Sequence, residues 1–461
     1  MKQQSVAPTG KEQPFEINEL FFSTTDQHGI ITAGNEVFSR TSGYSFAEMI
    51  GQPHNLIRHP HMPRAVFALL WQTVRARKPF LGYVINQARN GNHYWVFASI
   101  FPARDGYLSV RFKPSTPLRD SVATLYGKML EAENVALASG LTPSEAMEAS
   151  KRILTEALPA LGFSTYDAFS RHCLNGEIKA RDAALVAKRL SLFPSTVRCT
   201  SRIEMLYRQS LSVYESLNNL FRKLDELASL NVGMREKAAA VHELAENFRI
   251  DALNAHLASD PLGMRGQTLG TIANFLNGCA RDLGSDVDHL ASSITSTSST
   301  IDAVASHLSE SRLLLEVSLF FQAEIASTRD KVVRSEKYKL LRALHETFAS
   351  VLHRTTTALR ALRNHLPKLE ANNESLRKDI ITLQVAQISG LVEAAHLAES
   401  ADLSGMFTSL RSQIEKAGGE SRALCDVVAR LSSLTFTTPA AVSSIDSTAE
   451  QIAETLSQIA A

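Results

Sequence analysis

The chain has 461 residues, and its 48 lysines and arginines nearly balance its 47 aspartates and glutamates. At about 150 residues per domain this length predicts two to four domains, and the balanced charge gives no electrostatic reason for a nucleic-acid partner. The 4 cysteines are scattered, which predicts reduced thiols and no zinc site. No window reaches the roughly 18–20 apolar residues of a membrane-spanning helix. We therefore expect a soluble, cytoplasmic protein without a membrane span.

The first predicted domain, residues 15–118, mixes short strands with short helices. A capping box at Ser45 and Glu48 indicates a helix start, and Asn90-Gly91 between two strand-like runs favours a two-residue hairpin. Strands come first, short helices next and three strands last, which is the element order of a PAS fold. The strand-like runs cover residues 21–25, 30–33, 80–89, 93–101 and 107–112, and the helical runs cover 35–40 and 45–50.

Two longer motifs give the most specific signal in this domain. One is the run RHPHMP at residues 58–63, and the other is NGNHYW at residues 90–95. Together with Gly51-Gln52-Pro53 they resemble the sensor domain of the bacterial aerotaxis receptor family, over essentially all of residues 15–118. The resemblance implies a PAS fold that holds FAD and senses redox, oxygen or energy state.

The resemblance also implies which residues face the cofactor. Arg58, His59, Asn86 and Tyr94 fall on positions of the family's FAD pocket. Arg58 is suited to bidentate, charge-assisted bonds with a pyrophosphate or a ring carbonyl. The amide of Asn86 offers both donors and an acceptor to the edge of a flavin ring.

Three aromatic residues have rings that suit a flavin face: Phe80, Tyr94 and Trp95. Strand alternation puts Tyr94 and Trp95 on opposite sides of the sheet. Two positions depart from the family. His61 stands where an acidic residue is usual, and Phe80 stands where a tryptophan is usual, so one hydrogen-bond acceptor is lost and one aromatic face is smaller.

Other interpretations of the same residues stay open. Haem could replace FAD, with His59, His61 or His93 as the iron ligand. A PAS core without a cofactor, used for dimerisation or partner docking, is a further alternative. Three apolar residues at helical spacing are predicted to belong to the core and not to a cofactor site: Phe67, Leu70 and Trp71.

Residues 119–200 are predicted to form a helical connector. Thr142-Pro143, followed by Glu145, indicates a helix start. Asn175-Gly176 is predicted to end a helix. No family is recognised in this segment.

Residues 201–320 are predicted to form an antiparallel helical hairpin, and two such hairpins would make a four-helix bundle in a homodimer. Two apolar seams advance in steps of four and three residues. A break at residues 260–263 separates them, because Pro261 cannot continue a helix interior. The seam residues are Val213, Leu217, Leu220, Leu224 and Leu227 before the break, and Leu283, Val287, Leu290, Ile294, Ile301, Val304 and Leu308 after it.

The sequence around this break, from Ala252 to Ala273, resembles the tip of the signalling hairpin of chemotaxis receptors. That resemblance implies the chemotaxis kinase or its coupling protein as a partner. Positions that make tip contacts in that family are occupied here by Ala258, Pro261 and Met264, which predicts that kinase control is lost or altered.

Residues 321–461 are predicted to add a further helical bundle, with breaks at Leu366-Pro367, at residues 372–375 and at Gly418-Gly419. The predicted fold is an α+β PAS domain followed by a long all-α coiled-coil or helical-bundle region. The sequence has no phosphate-binding glycine loop, catalytic triad or metal grouping, so we do not expect an enzyme. The family resemblance implies a signal-transduction sensor whose PAS domain relays its input to the helical region. The alternative is a cofactor-free scaffold or adaptor for protein–protein interaction.

Overall fold

The computed structural model describes residues 6–194, 197, 201–259, 267–396 and 401–436, and near the C-terminus residues 443, 447, 448, 450–456 and 458. The chain forms two compact units. The first comprises Met1–Phe221, Ala305–Arg354 and Ser443–Ala461, and the second comprises Arg222–Val304 and Thr355–Val442.

The first unit contains a five-stranded antiparallel sheet in the order β2-β1-β5-β4-β3. Three short helices and a 3-10 turn lie between β2 and β3 in the chain and supply the layer that faces the sheet. The predicted α+β PAS fold is confirmed. The strands are β1 (Leu20–Asp26), β2 (Ile31–Gly34), β3 (Phe80–Gln87), β4 (His93–Pro102) and β5 (Gly106–Phe112), and the helices are α1 (Glu36–Ser42), α2 (Phe46–Met49), the 3-10 turn (His54–Ile57) and α3 (Arg64–Arg75).

Local signals fix most of these elements. Ser45 and Glu48 form the predicted capping box at the start of α2, and the side chain of Asn35 caps α1. The hairpin between β3 and β4 is longer than the predicted two residues. Gln87 pairs with His93, and Gly91 in the loop has φ +85°, a left-handed conformation that suits glycine.

Helices α4 (Leu118–Ala138), α5 (Pro143–Ala160), α6 (Tyr166–Lys188) and α7 (Ser201–Arg222) follow the sheet. Thr142 and Glu145 form the capping box at the start of α5, as predicted. The predicted helix end at Asn175-Gly176 is wrong, because α6 continues through it. The side chain of Asn175 accepts a hydrogen bond from Ser309, 2.5 Å away, so this polar residue is satisfied inside a packed helix.

The second unit is a four-helix bundle formed by one chain. Its helices are α8 (Leu224–Ser259), α9 (Gln267–Ser327), α10 (Lys331–His396) and α11 (Ala401–Phe436), of which α9 and α10 also extend into the first unit. One apolar core joins all four, with Val241 from α8, Leu283 from α9, Leu383 from α10 and Leu410 from α11 among its members. The boundary predicted at residues 320 and 321 therefore falls inside α9.

The predicted dimer seams are buried within the chain. Val213 and Leu217 are buried in the first unit, and Leu283, Val287 and Leu290 are buried in the second. Because these side chains already pack against other helices of the same chain, they leave no free seam for a second copy. The predicted break at residues 260–263 lies outside the described residues.

Three other predicted helix breaks are wrong. Helix α10 continues through Pro367 and through residues 372–375, and α11 continues through Gly418-Gly419. Leu366 and Leu369 beside the proline are buried, and Asn373 donates a hydrogen bond to the carbonyl oxygen of Ser421 on α11. Packing over a long helix thus outweighs the local preference of these residues. None of the helices in the described ranges combines the length and apolar character that a membrane crossing requires.

Candidate functional site

A cleft of about 370 Å³ opens between the sheet and helix α3. This volume is within the range of roughly 300–1,000 Å³ that is usual for small-molecule sites. The sheet contributes Thr25, Ile100, Tyr107, Ser109 and Arg111, and α3 contributes Phe67, Leu70, Trp71 and Val74. The interpretation of the α3 aromatic residues as core is therefore corrected, since Phe67 and Trp71 line the cleft.

Gly29 allows the indole of Trp71 to approach the loop between β1 and β2. It has φ +81°, and a Cβ atom at this position would lie 2.7 Å from the Trp71 ring. A larger residue at position 29 would therefore displace the largest aromatic side chain of the cleft.

Arg111 is a buried cation in the wall of the cleft. Only 3% of the residue is exposed. Its Nη2 group donates to Ser23 Oγ, 2.8 Å away, and to His54 Nε2, 2.6 Å away, whereas its Nη1 group has no hydrogen-bond partner. Burial lowers the pKa of Arg111 to about 10, so the guanidinium stays charged near neutral pH. No carboxylate pairs with it among the residues that the structure describes.

His54 holds this guanidinium from the 3-10 turn. Burial, and then the charge of Arg111, lower the pKa of His54 well below its usual value. The imidazole is therefore neutral and can accept the Arg111 hydrogen bond at Nε2. The ring also stacks on Phe38, with ring centroids 6.0 Å apart.

Of the residues predicted from the family resemblance, Arg58 lines the cleft. Its Nη2 group donates to the carbonyl oxygen of Met62 at 2.9 Å, and its guanidinium lies 4.5 Å from the centre of the Phe67 ring. The backbone of Arg58 forms a β-bridge with Asn86. The backbone contact between Arg58 and Asn86 thus joins the helical layer to the sheet beside the cleft.

Asn86 and Tyr94 lie opposite each other on β3 and β4. Strand alternation places both on the face that carries Ile100 and Arg111. Both are buried, and the Asn86 Nδ2 group and the Tyr94 hydroxyl have no hydrogen-bond partner. Neither residue lines the cleft itself, so they form a polar, buried floor next to it.

Phe80 and Trp95 take different places. Phe80 is buried on the same face of the sheet and stacks on Tyr166 of α6, with ring centroids 5.9 Å apart. Trp95 lies on the opposite face, where it stacks on Tyr126 of α4 at 6.1 Å. The structure therefore brings Trp95 to the connector helices and not to the cleft.

His59 is buried beside two further histidines. Its Nδ1 atom accepts the backbone N–H of His61 at 3.1 Å, and its ring centroid lies 4.8 Å from that of His61 and 6.1 Å from that of His93. Burial, and then these two neighbours, lower the pKa of His59 to about 4. Within the described ranges, no three or more His, Cys, Asp or Glu residues are arranged to hold a metal ion.

Two buried carboxylates connect the PAS fold to the helices that follow it. Glu133 on α4 accepts the backbone N–H groups of Arg64 and Ala65 at the start of α3, each at 3.0 Å. Glu177 on α6 accepts the Tyr83 hydroxyl of β3 at 2.7 Å and backbone N–H groups between β5 and α4. The elements that form the cleft are thus directly attached to α4 and α6.

Comparison with known proteins agrees with this fold. Residues 31–110 match the PAS fold family. The chain is 40% identical over 123 residues to the aerotaxis receptor of Escherichia coli (strain K12). The matched region covers 26% of this chain and 24% of the receptor. It is also 40% identical over 80 residues to the nitrogen fixation regulatory protein of Klebsiella pneumoniae, which covers 17% of this chain and 16% of that protein. The chain thus spans less than a quarter of the length of these relatives.

Two matches to solved structures cover 20% and 24% of this chain. The PAS domain of a protein from Colwellia psychrerythraea is 20% identical, covers 20% of this chain and 85% of its own, and gives a TM-score of 0.19. The photo-excited blue-light photoreceptor Vivid is 18% identical, covers 24% of this chain and 86% of its own, and gives a TM-score of 0.18.

The fold and the sequence similarity define an N-terminal PAS sensor domain followed by long helices. This domain is homologous to that of the aerotaxis receptor, and its presence supports a role in signal transduction.

Proposed function

We propose that the PAS domain binds FAD in the cleft and senses redox, oxygen or energy state. The observation that carries this proposal is the unpaired Nη1 group of Arg111, a buried cation that lines the cleft beside Trp71 and Phe67. A buried donor without a partner costs about 1–3 kcal/mol, and more when it is charged. A ligand that accepts this hydrogen bond would remove that cost.

The residues present fit a flavin. Its ring is flat and aromatic, with carbonyl and nitrogen groups along its edges, and the cleft offers aromatic side chains from α3 facing polar groups from the sheet. The polar groups without a protein partner are Ser109 Oγ and Arg111 Nη1 in the wall and Asn86 Nδ2 and the Tyr94 hydroxyl in the floor. Arg58 and Arg75 add two further cations to the lining.

FAD, when bound, supplies a redox centre that gains and loses electrons reversibly. The chain's own residues set its surroundings. Arg111 supplies positive charge, neutral His54 holds the guanidinium in place, and Trp71 and Phe67 exclude water. A change of charge at the cleft would alter the hydrogen bonds of Arg111 on β5. Glu177 binds the segment that follows β5, so a shift of this strand would reach α6.

For the output we propose a protein contact and no chemical reaction by this chain. The partner would be the chemotaxis kinase or its coupling protein, or another signalling protein, in the cytoplasm. The sequence similarity of the PAS domain to an aerotaxis receptor supports this choice. Ala252–Ala255, part of the segment that resembles a chemotaxis-receptor tip, lies in α8, whereas Pro261 and Met264 are outside the described residues.

The test is an absorption spectrum of the purified full-length protein, combined with identification of the released cofactor by mass spectrometry. We expect the two visible and near-ultraviolet bands of an oxidised flavin and the mass of FAD. A Soret band would show that the bound cofactor is haem and not FAD. His59, His61 and His93 would then be tested as the iron ligand. A colourless protein that also fails to take up added FAD would contradict the proposal and favour the cofactor-free scaffold.

A further inference from the structure

A second cavity of about 350 Å³, here termed the annex, adjoins the cleft. It lies between the turn that follows β1, the C-terminal end of α3 and the loop between β4 and β5. Arg75 and Arg77 in its lining are exposed, so the annex is the open end of the site. Four residues line both cavities, and the annex therefore continues the cleft: His28, Val74, Arg75 and Tyr107.

The charge along the two cavities has a single sign. Among the described residues that line either cavity, four are arginines and none is an aspartate or a glutamate. The whole chain has nearly as many acidic as basic residues, so its composition does not explain this difference. A ligand with negative charge would supply the missing counter-charge. The four arginines are Arg58, Arg75, Arg77 and Arg111.

Local contacts position the two arginines of the annex. Arg77 has φ +59°, a left-handed conformation that residues with a Cβ atom rarely adopt. Its Nη1 group donates to the carbonyl oxygen of Ala103 at 2.8 Å, which holds the side chain against the loop between β4 and β5. The guanidinium of Arg75 lies 5.4 Å from the centre of the Trp71 ring, at the junction of cleft and annex. Because a guanidinium has five N–H donors, these contacts leave donors for a further acceptor.

The position of these arginines at the end of α3 has a simpler explanation as well. Cations near a helix C-terminus interact favourably with the helix dipole. This effect accounts for Arg75 and Arg77 but not for Arg58 and Arg111, which lie outside the last turn of α3. It also does not account for the lack of carboxylates along two adjoining cavities. The arrangement of charge therefore indicates an anionic ligand.

We propose that the annex binds the phosphate groups of the ligand through Arg75 and Arg77, while the ring system of the ligand occupies the cleft. Burial of a phosphate charge is costly, so the charged end belongs at the exposed annex and the neutral ring in the cleft. Guanidinium groups bind phosphate through two parallel hydrogen bonds. This inference rests on the proposed function and deepens it, because it selects a phosphorylated flavin over riboflavin and sets the orientation of the ligand.

The first test compares FAD, FMN and riboflavin in fluorescence titrations of the ligand-free full-length protein. FMN separates the effect of a phosphate from that of the adenine. We expect the wild type to bind FAD and FMN at least about 10-fold more tightly than riboflavin. In Arg75→Gln/Arg77→Gln the affinity for FAD and FMN should fall by at least about 10-fold, and the affinity for riboflavin should change by less than about twofold.

A matched control removes two positive charges that flank α3, in Arg64→Gln/Lys78→Gln. Both residues are exposed and line neither cavity, so this variant should bind all three flavins as the wild type does. If Arg75→Gln/Arg77→Gln retained wild-type affinity for FAD and FMN, the annex would be excluded as the phosphate site while flavin binding in the cleft stood. A wild type that bound none of the three flavins would overturn the proposed function and this assignment together.

The second test uses ionic strength. Exposed charges are screened by salt, so an increase from about 0.05 M to about 0.5 M salt should weaken FAD binding by the wild type and leave riboflavin binding nearly unchanged. The salt dependence of FAD binding should be smaller in Arg75→Gln/Arg77→Gln. Equal salt dependence in the variant and the wild type would contradict a phosphate contact in the annex.

Discussion

The Glu133 carboxylate on α4 accepts the backbone N–H of Ala65 at 3.0 Å and closes the first turn of α3. Helix α3 begins after Pro63, whose side chain provides no cap. Glu133 belongs to a different helix and supplies the cap that α3 lacks. Its negative charge lies at the positive end of the α3 dipole. The helix that forms the aromatic wall of the cleft is thereby held by the first connector helix.

Removal of this carboxylate should destabilise the domain and weaken the site. We expect Glu133→Ala to lower the free energy of unfolding by about 2 kcal/mol, because it leaves buried N–H groups unpaired. Urea denaturation of the full-length protein measures this change. The control is Glu131→Ala, an exposed position on the same helix, for which we expect less than about 0.5 kcal/mol. Equal effects of both substitutions would disprove the capping role.

Arg111 should affect ligand binding more than it affects folding. In Arg111→Met the volume is largely kept while a buried charge without a carboxylate partner is removed. We expect the free energy of unfolding of the ligand-free protein to stay within about 1 kcal/mol of the wild type. FAD affinity, measured by fluorescence titration, should fall by roughly 10- to 100-fold, the loss of one charged hydrogen bond.

The matched control for Arg111 is Arg152→Met on α5, an exposed position. Arg152→Met should change neither the free energy of unfolding nor the FAD affinity. If Arg111→Met bound FAD as tightly as the wild type, the guanidinium would have no role in the cleft.

The sequence predicted the sheet well because its strands alternate and its turns carry strong local signals. It did not point to Arg111, although a single charged residue in the apolar run Leu108–Phe112 on β5 was a visible signal. Its meaning depends on which face of β5 points to the cleft, and that is set by pairing with β1 and β4. His54 was missed for the same reason, since its partner is 57 residues away in the chain.

Helix ends in the second unit were harder to predict. A proline or a pair of glycines favours a break over a few residues, but α10 and α11 pack along their whole length. Pro367 removes one backbone hydrogen bond, whereas the neighbouring buried leucines contribute apolar contacts on both sides. The pairing of residues 355–442 with residues 222–304 is also a long-range choice that heptad spacing does not reveal.

Two adjacent residues on β3 point to opposite faces of the sheet. Asn86 lies on the face of the cleft with an unpaired Nδ2 group, and Gln87 points the other way, with its Nε2 group bonded to the carbonyl oxygen of Val6. We expect Asn86→Ala to lower FAD occupancy of the purified protein, as should Arg58→Ala, without loss of helix content. Gln87→Ala should leave occupancy unchanged. The ratio of flavin absorbance to protein absorbance measures the difference, and full occupancy in Asn86→Ala would exclude this residue from the site.

Stability should fall as the pH falls from 7 to 5, partly because of His59. Its pKa is about 4 in the folded protein and about 6.5 in an unfolded chain. Between these values the unfolded chain binds more protons, so stability is fully present above pH 6.5 and is lost as the pH falls toward 4. We expect the wild type to lose about 2 kcal/mol more than His59→Asn between pH 7 and pH 5. Parallel curves for the two proteins in urea denaturation would contradict the low pKa.

The largest loss of stability is expected from Glu316 on α9. This buried carboxylate accepts hydrogen bonds from Arg181 Nη1 at 2.8 Å, from Arg312 Nε at 3.0 Å and from the Tyr214 hydroxyl at 3.0 Å. Burial alone would raise the pKa of Glu316, but the two arginines lower it below its usual value, so the group is charged. Arg181 also lies 5.4 Å from the ring centre of Phe112, the residue after Arg111 on β5.

We expect Glu316→Gln to lower the free energy of unfolding by about 3–5 kcal/mol, because the buried Arg181 loses the carboxylate it pairs with, whereas Arg312 keeps its two bonds to Asp182. The control is Glu346→Gln, which breaks the exposed pair between Glu346 and Arg342 at 3.4 Å and should cost less than about 1 kcal/mol. Both variants are compared with the wild type by urea denaturation at pH 7. An effect of Glu316→Gln as small as that of the control would contradict the dependence of this buried cluster on the Glu316 carboxylate.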